Sequence, residues 1–151
     1  MKHWPPPSPP RPPQPRRWLF QFHPVPVGAR ADGWTPARQG AFIGYLAQTR
    51  SVLAACRCVS MGRESAYRLR KRPGAAGFAA AWDAALRKPH TPVDLASPKS
   101  TGLPAGYRSR VGIMQVRMFA GRYAGTSWKA DNNALLSHLS HLDRACRDLE
   151  E

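Results

Sequence analysis

Acidic side chains are what this 151-residue chain has least of: nine Asp and Glu stand against twenty-three Lys and Arg, a formal net charge of +14. So few carboxylates, spread thinly, supply no convincing trio of the kind that phosphoryl or strand transfer requires, and no enzyme is expected. Cysteine is scarce too. Cys56, Cys58 and Cys146 make an odd number with no paired framework, which fits a reducing cytoplasm better than secretion. No apolar run reaches the length of a membrane span, and the proline-studded N-terminus lacks the apolar stretch of a signal peptide. Glycine-rich phosphate loops of the nucleotide-binding kinds are missing, as is any nucleophile motif. Cys56-x-Cys58 and His138-x-x-His141 do not add up to a zinc set, because structural zinc takes four suitably spaced ligands and Cys56 is expected to face inward. No cofactor, metal or small-molecule ligand is expected.

What is abundant is positive charge. A pI near 11 makes the chain repel itself and attract polyanions, so nucleic acid is the first partner to consider. Residues 1–34 carry five basic groups and one acid, residues 35–90 ten and two, residues 91–151 eight and six. The middle third is the electrostatic footprint.

Proline is the other excess. Eight of the sixteen fall within the first fifteen residues. Proline fixes φ and removes backbone donors, so 1–22 is expected to be a disordered, polyproline-like leader, with a ligand for a proline-binding module as the alternative. Trp18, Phe20 and Phe22 alternate at its end and are costly to leave in water, which would lay that stretch against the domain.

Residues 23–88 read as helices. Thr35 caps a first helix with Pro36 at its first position, and Ala37, Ala41, Phe42, Tyr45 and Leu46 form its apolar face. Gly40 and Gly44 weaken it, so it needs tertiary packing. Ser51 starts a short second helix, "VSMG" breaks it, and "RESAYRLRKR" opens a third that Pro73 closes. Phe78, Trp82, Ala85 and Leu86 mark a fourth. Residues 89–106, with four prolines and two glycines, read as a linker. In 107–151 a β-hairpin is expected, its first strand drawing on Val111 to Phe119, its turn on "AGR" and its return on Tyr123 to Trp128. A last helix follows, capped by Asp131, in which Leu135, Leu139, Leu142, Cys146 and Leu149 alternate at spacings of four and three. Intramolecular packing is the favoured reading of that stripe and a homodimer seam the alternative.

Residues 51–72 have the shape of a helix-turn-helix: small residues where the helices cross, a compact turn, and a second helix apolar inside and basic outside. On a helical wheel Ala66 and Leu69 share one side. Arg63, Glu64, Tyr67, Arg68 and Lys71 span the other, with Arg70 and Arg72 flanking it.

The string "SVLAACRCVSMGRESAYRLRKRP" resembles the homeodomain-like helix-turn-helix of small bacterial DNA-binding proteins, transposase N-terminal domains and terminase small-subunit-like proteins. Ala55, Arg57, Val59, Met61, Arg63, Tyr67 and Arg68 carry the match. "FAAAWDAAL" (78–86) is similar to the helix that often follows, and "PVPVGARADGWTPARQGAFIGYLAQT" to the opening of a group of small bacterial proteins of unassigned function. The resemblance spans about 24–88. It implies a mainly α fold: a homeodomain-like bundle, then a C-terminal β-hairpin and helix, behind a disordered Pro-rich N-terminus. It also implies double-stranded DNA as partner, with Arg63, Ser65, Tyr67, Arg68 and Lys71 entering the major groove and Arg57, Arg70 and Arg72 at phosphates. Two positions depart from the family pattern. Ser60 stands where glycine is usual, at a turn position that often needs positive φ, and Gly62 stands where serine usually caps the recognition helix. An oligomeric terminase-like adaptor, a module acting through the leader, and non-specific RNA binding are the competing expectations.

Overall fold

A computed structural model describes residues 6–10, 17–28 and 30–150, with backbone alone at 17 and 18. The leader residues 1–5 and 11–16 and the side chain of Trp18 lie outside the described residues. The fold is mainly helical with a small antiparallel sheet. Its elements are β1 (Arg17–Phe22), α1 (Pro36–Thr49), α2 (Val52–Cys58), α3 (Arg63–Arg70), α4 (Ala76–Ala85), α5 (Pro98–Thr101), α6 (Ala105–Val111), β2 (Ile113–Phe119), β3 (Arg122–Lys129) and α7 (Asn132–Glu150).

The expected start signals operate. Thr35 Oγ1 accepts from the Arg38 amide 3.3 Å away, Ser51 Oγ from Ala54, and Asp131 Oδ1 from Ala134 at 3.0 Å. The β2–β3 hairpin turns through Ala120 and Gly121, both at positive φ, between the paired residues Phe119 and Arg122. Such a two-residue turn matches strand twist.

Four expectations need correction. The leader is shorter than 22 residues, because 17–22 form β1 and pair antiparallel with β2, from Arg17 opposite Phe119 to Phe22 opposite Met114. Burial of Phe20 and Phe22 supports that pairing. The stretch 89–106 is not a bare linker: it holds α5 and enters α6, and Val111 ends that helix rather than starting the hairpin. Its organiser is Arg108, 1% exposed, whose guanidinium donates to the carbonyls of Leu103 (3.2 Å) and Leu95 (3.0 Å). A buried cation draws backbone acceptors around itself, and these two shape the segment. Third, α3 stops at Arg70, with Lys71 as its C-cap, two residues short of the expected end. Fourth, the leucine stripe of α7 does not pack on the body: Leu135, Leu139, Leu142 and Leu149 are all exposed.

The core is aromatic. Phe42 on α1 meets Trp34 (5.4 Å between centroids), Phe78 (5.9 Å) and Trp82 (5.0 Å), and Phe22 meets Phe78 edge-on. α1 is central because it buries two faces. Phe42, Ile43 and Leu46 are fully buried, whereas Ala37 is exposed. On the other face Gly40 and Gly44 receive the hairpin: a Cβ at Gly40 would lie 2.5 Å from Met114 Sδ, and one at Gly44 would overlap the Tyr123 ring. The glycines that weaken this helix in isolation are what let the sheet sit on it.

Buried Gln39 ties the segment after β1 to α1. Its Oε1 accepts from the Val25 amide (2.7 Å), and its Nε2 donates to the carbonyls of Val25 (3.1 Å) and Trp34 (3.0 Å).

Candidate nucleic-acid interface

α2 and α3 are joined by a turn whose hydrogen bonds explain its shape. The Met61 amide donates to the Cys56 carbonyl (3.0 Å) and the Ser60 amide to the Arg57 carbonyl (3.2 Å), the double closure of a Schellman motif. Ser60 holds the left-handed position at φ 58, the conformation that glycine adopts without cost. Gly62 is the N-cap of α3, extended at φ −76 and ψ 144, with no side chain to cap the first turn. Glu64 in that turn partly offsets the exposed amides electrostatically.

The two helices meet on small, buried side chains: Ala55, Cys56 and Val59 from α2, Ala66 and Leu69 from α3. Burial pushes the Cys56 thiol pKa up, against the opposing pull of Arg63, so Cys56 fills the crossing as a neutral thiol. Among the described residues no group of three His, Cys, Asp or Glu side chains could hold a metal ion.

Over this base the outer face of α3 is basic. Between 57 and 72 stand six basic residues and one acid. Arg57, Arg63, Arg68, Lys71 and Arg72 are exposed. The Arg63 guanidinium lies 5.8 Å from the Tyr67 ring centroid, and Tyr67 packs in turn on Trp82 at 5.2 Å. Tyr67 thus touches the core through Trp82 while remaining exposed. Arg68 pairs loosely with Glu64, 3.7 Å away, both highly exposed, an interaction water screens to little net effect.

Two of the residues expected at DNA are engaged within the fold. The Ser65 hydroxyl donates to the Gly62 carbonyl (2.7 Å) and accepts from Trp34 Nε1 (3.1 Å), pinning the start of α3 to the entry of α1. Arg70 forks onto Asp83 of α4 at 2.9 and 3.0 Å, with its guanidinium 5.3 Å from the Trp82 ring. A bidentate pair beside an aromatic ring is a strong tether. Trp34 and Asp83 are the positions that reading the sequence missed. No local pattern marks them, since they lie 31 and 13 residues from their partners.

No helix among the described residues is long and apolar enough to cross a membrane. In comparisons with known proteins, the chain matches no family model, no curated protein and no solved structure.

Proposed function

We propose that this chain binds double-stranded DNA as a homeodomain-like helix-turn-helix protein, with α3 laid in the major groove. The observation that carries this reading is the sorting of α3. Arg63, Tyr67 and Arg68 face out, with Lys71 and Arg72 exposed just past its end, while Ala66 and Leu69 are locked into the core beneath them. A helix fits the major groove of B-form DNA, and arginine suits the paired O6 and N7 acceptors of guanine. Arg57 at the end of α2 and Arg72 are suited to phosphates, and so is Lys71, expected in the groove but standing at the C-cap of α3 rather than within the helix. Ser65 and Arg70 serve this surface by holding α3 in place. They present it; they do not need to touch DNA.

Duplex binding measured as a function of salt tests the proposal. Each phosphate that a side chain neutralises adds about 0.9 to the salt slope, so Arg57→Ala and Arg72→Ala should each lower the slope by about one unit. Arg63→Ala and Arg68→Ala should each weaken binding by about 1–3 kcal/mol and flatten preference among sequences. These side chains are all exposed, so none of the variants is expected to unfold. Equal affinity of the Arg63 and Arg68 variants and the parent for duplex at moderate salt would refute the groove reading. Tighter binding to duplex RNA, whose deep narrow groove does not admit a helix, would point instead to non-specific polyanion binding.

A second reading, an oligomeric adaptor like a terminase small subunit, is favoured by one observation: the exposed leucines of α7. Solution mass by light scattering separates a higher oligomer from a monomer or dimer.

A further inference from the structure

α7 holds five of the large apolar side chains that the fold leaves in water: Leu135 (44% exposed), Leu136, Leu139 (52%), Leu142 (49%) and Leu149 (87%). The helix touches its own body only near its start. Ala134 is fully buried, His138 lies against Gly106 of α6, and every described residue from Leu139 onward is exposed. A contiguous apolar face of this sort marks an interaction surface.

We propose that this surface is covered by a second copy of the chain, the two α7 helices crossing antiparallel in a homodimer. Charge identifies the occupant. Residues 132–151 carry two basic and four acidic groups, against twenty-one and five over residues 1–131. One chain therefore carries both halves of a complementary pair: an acidic helix end and a basic body. Antiparallel crossing brings the acidic end of each helix toward the partner's basic body. It also holds the two like-charged bodies at opposite ends of a helix about 28 Å long, several screening lengths apart, whereas a parallel seam would put them side by side.

The sequence of the stripe permits this alignment. Reflected about the point between Ser140 and His141, close to the helix midpoint, Leu139 falls opposite Leu142, Leu135 opposite Cys146, and Asn132 opposite Leu149. Alternation of four and three is what lets the two rows interdigitate. Two and a half heptads make a short seam, and the charge contact with the partner's body supplies what the seam alone lacks. Such a dimer is independent of the DNA reading, and its test contains no DNA.

Sedimentation of the full chain under reducing conditions should give twice the 16.7 kDa chain mass at micromolar concentration. Leu139→Asp and, separately, Leu142→Lys should halve that mass without changing the circular dichroism spectrum, because both positions are solvent-exposed in the single chain. Orientation is read by disulfide trapping with oxidised glutathione in a Cys58→Ser background. Adding Leu135→Cys should give rapid covalent dimer through the partner's Cys146. Cys58→Ser alone should cross-link slowly, since antiparallel alignment separates the two Cys146 thiols by about 16 Å along the seam, beyond disulfide reach. A monomer throughout, a dimer that survives both leucine substitutions, or equally fast trapping through Cys146 alone would each overturn the proposal.

Discussion

Replacing Ser60 by glycine should stabilise the protein. Ser60 occupies the left-handed position that closes α2, at φ 58, and its side chain is exposed, so the substitution removes no burial. An L-residue in this conformation carries a steric cost of about 1–2 kcal/mol, which glycine does not bear. Against that gain, glycine enlarges the conformational freedom of the unfolded chain, a loss of about 0.4–1 kcal/mol. The difference favours glycine by about 0.5–1 kcal/mol. In a chain of this size that corresponds to a rise in melting temperature of about 1–4 °C, readable by calorimetry. Two further variants isolate the cause. Ser60→Ala keeps the left-handed cost and should melt close to the parent. Ser60→Val adds a β-branched side chain to a backbone region that such residues avoid and should melt lower. If glycine melts no higher than serine, or valine no lower, the turn does not store the strain assigned to it. Adding Gly62→Ser would then test the cap: a serine hydroxyl at that extended N-cap should contribute a few tenths of a kcal/mol more.

Gly44→Ala should destabilise despite glycine's poor helix propensity. The propensity gain of about 0.5–1 kcal/mol is outweighed by an overpacking cost of about 1–3 kcal/mol where the new methyl meets the Tyr123 ring; urea unfolding reads the balance. His23, 2% exposed with Nε2 2.7 Å from Asp131 Oδ2, has its pKa lowered below 6.5 by burial, opposed by the hydrogen bond and charge of Asp131 and reinforced by Arg108. Because the folded value lies below the unfolded one, its contribution is complete above about pH 6.5 and lost as pH falls through the folded value, a slope in melting temperature that His23→Gln should flatten. Arg70→Ala should lower stability by about 1–2 kcal/mol by removing the fork to Asp83, while leaving the salt slope of the proposed DNA binding close to the parent's, the reverse of what Arg72→Ala should do.

Much of the helical part of the fold was legible because its signals are local. Thr35 with Pro36, Ser51, Asp131 and Pro73 each act on backbone within one turn, so spacing alone locates them. The Ser60 turn was legible for the same reason. What escaped depends on distant partners. β1 is six residues between prolines, and it becomes a strand only because β2, nearly a hundred residues later, offers its edge. The stretch before the hairpin looks like linker by composition, and a single buried arginine organises it. Gly40 and Gly44 count against a helix until the sheet that needs their bare surface is present. For α7 the periodicity gave the apolar face correctly, yet periodicity does not say what lies across from it. The favoured packing on the body was wrong because α7 meets that body only over its first two turns.

The candidate interface divides along the same line. The resemblance sets Ser65 in the groove beside the cations, and a helical wheel sets Arg70 at the flank of the basic face. Their hydroxyl and guanidinium are instead taken up by Trp34 at one end of α3 and Asp83 at the other. This matters for function because an eight-residue helix with a glycine cap is unstable by itself. α3 persists because it is tethered at both ends and seated on Ala66 and Leu69. Arg63 and Arg68 are therefore carried on a helix, with Lys71 and Arg72 at its end, and its ordering cost is met when the chain folds, not when it meets a partner. Sequence shows where the positive charge faces; the fixing of that charge comes from a tryptophan and an aspartate that no motif contains.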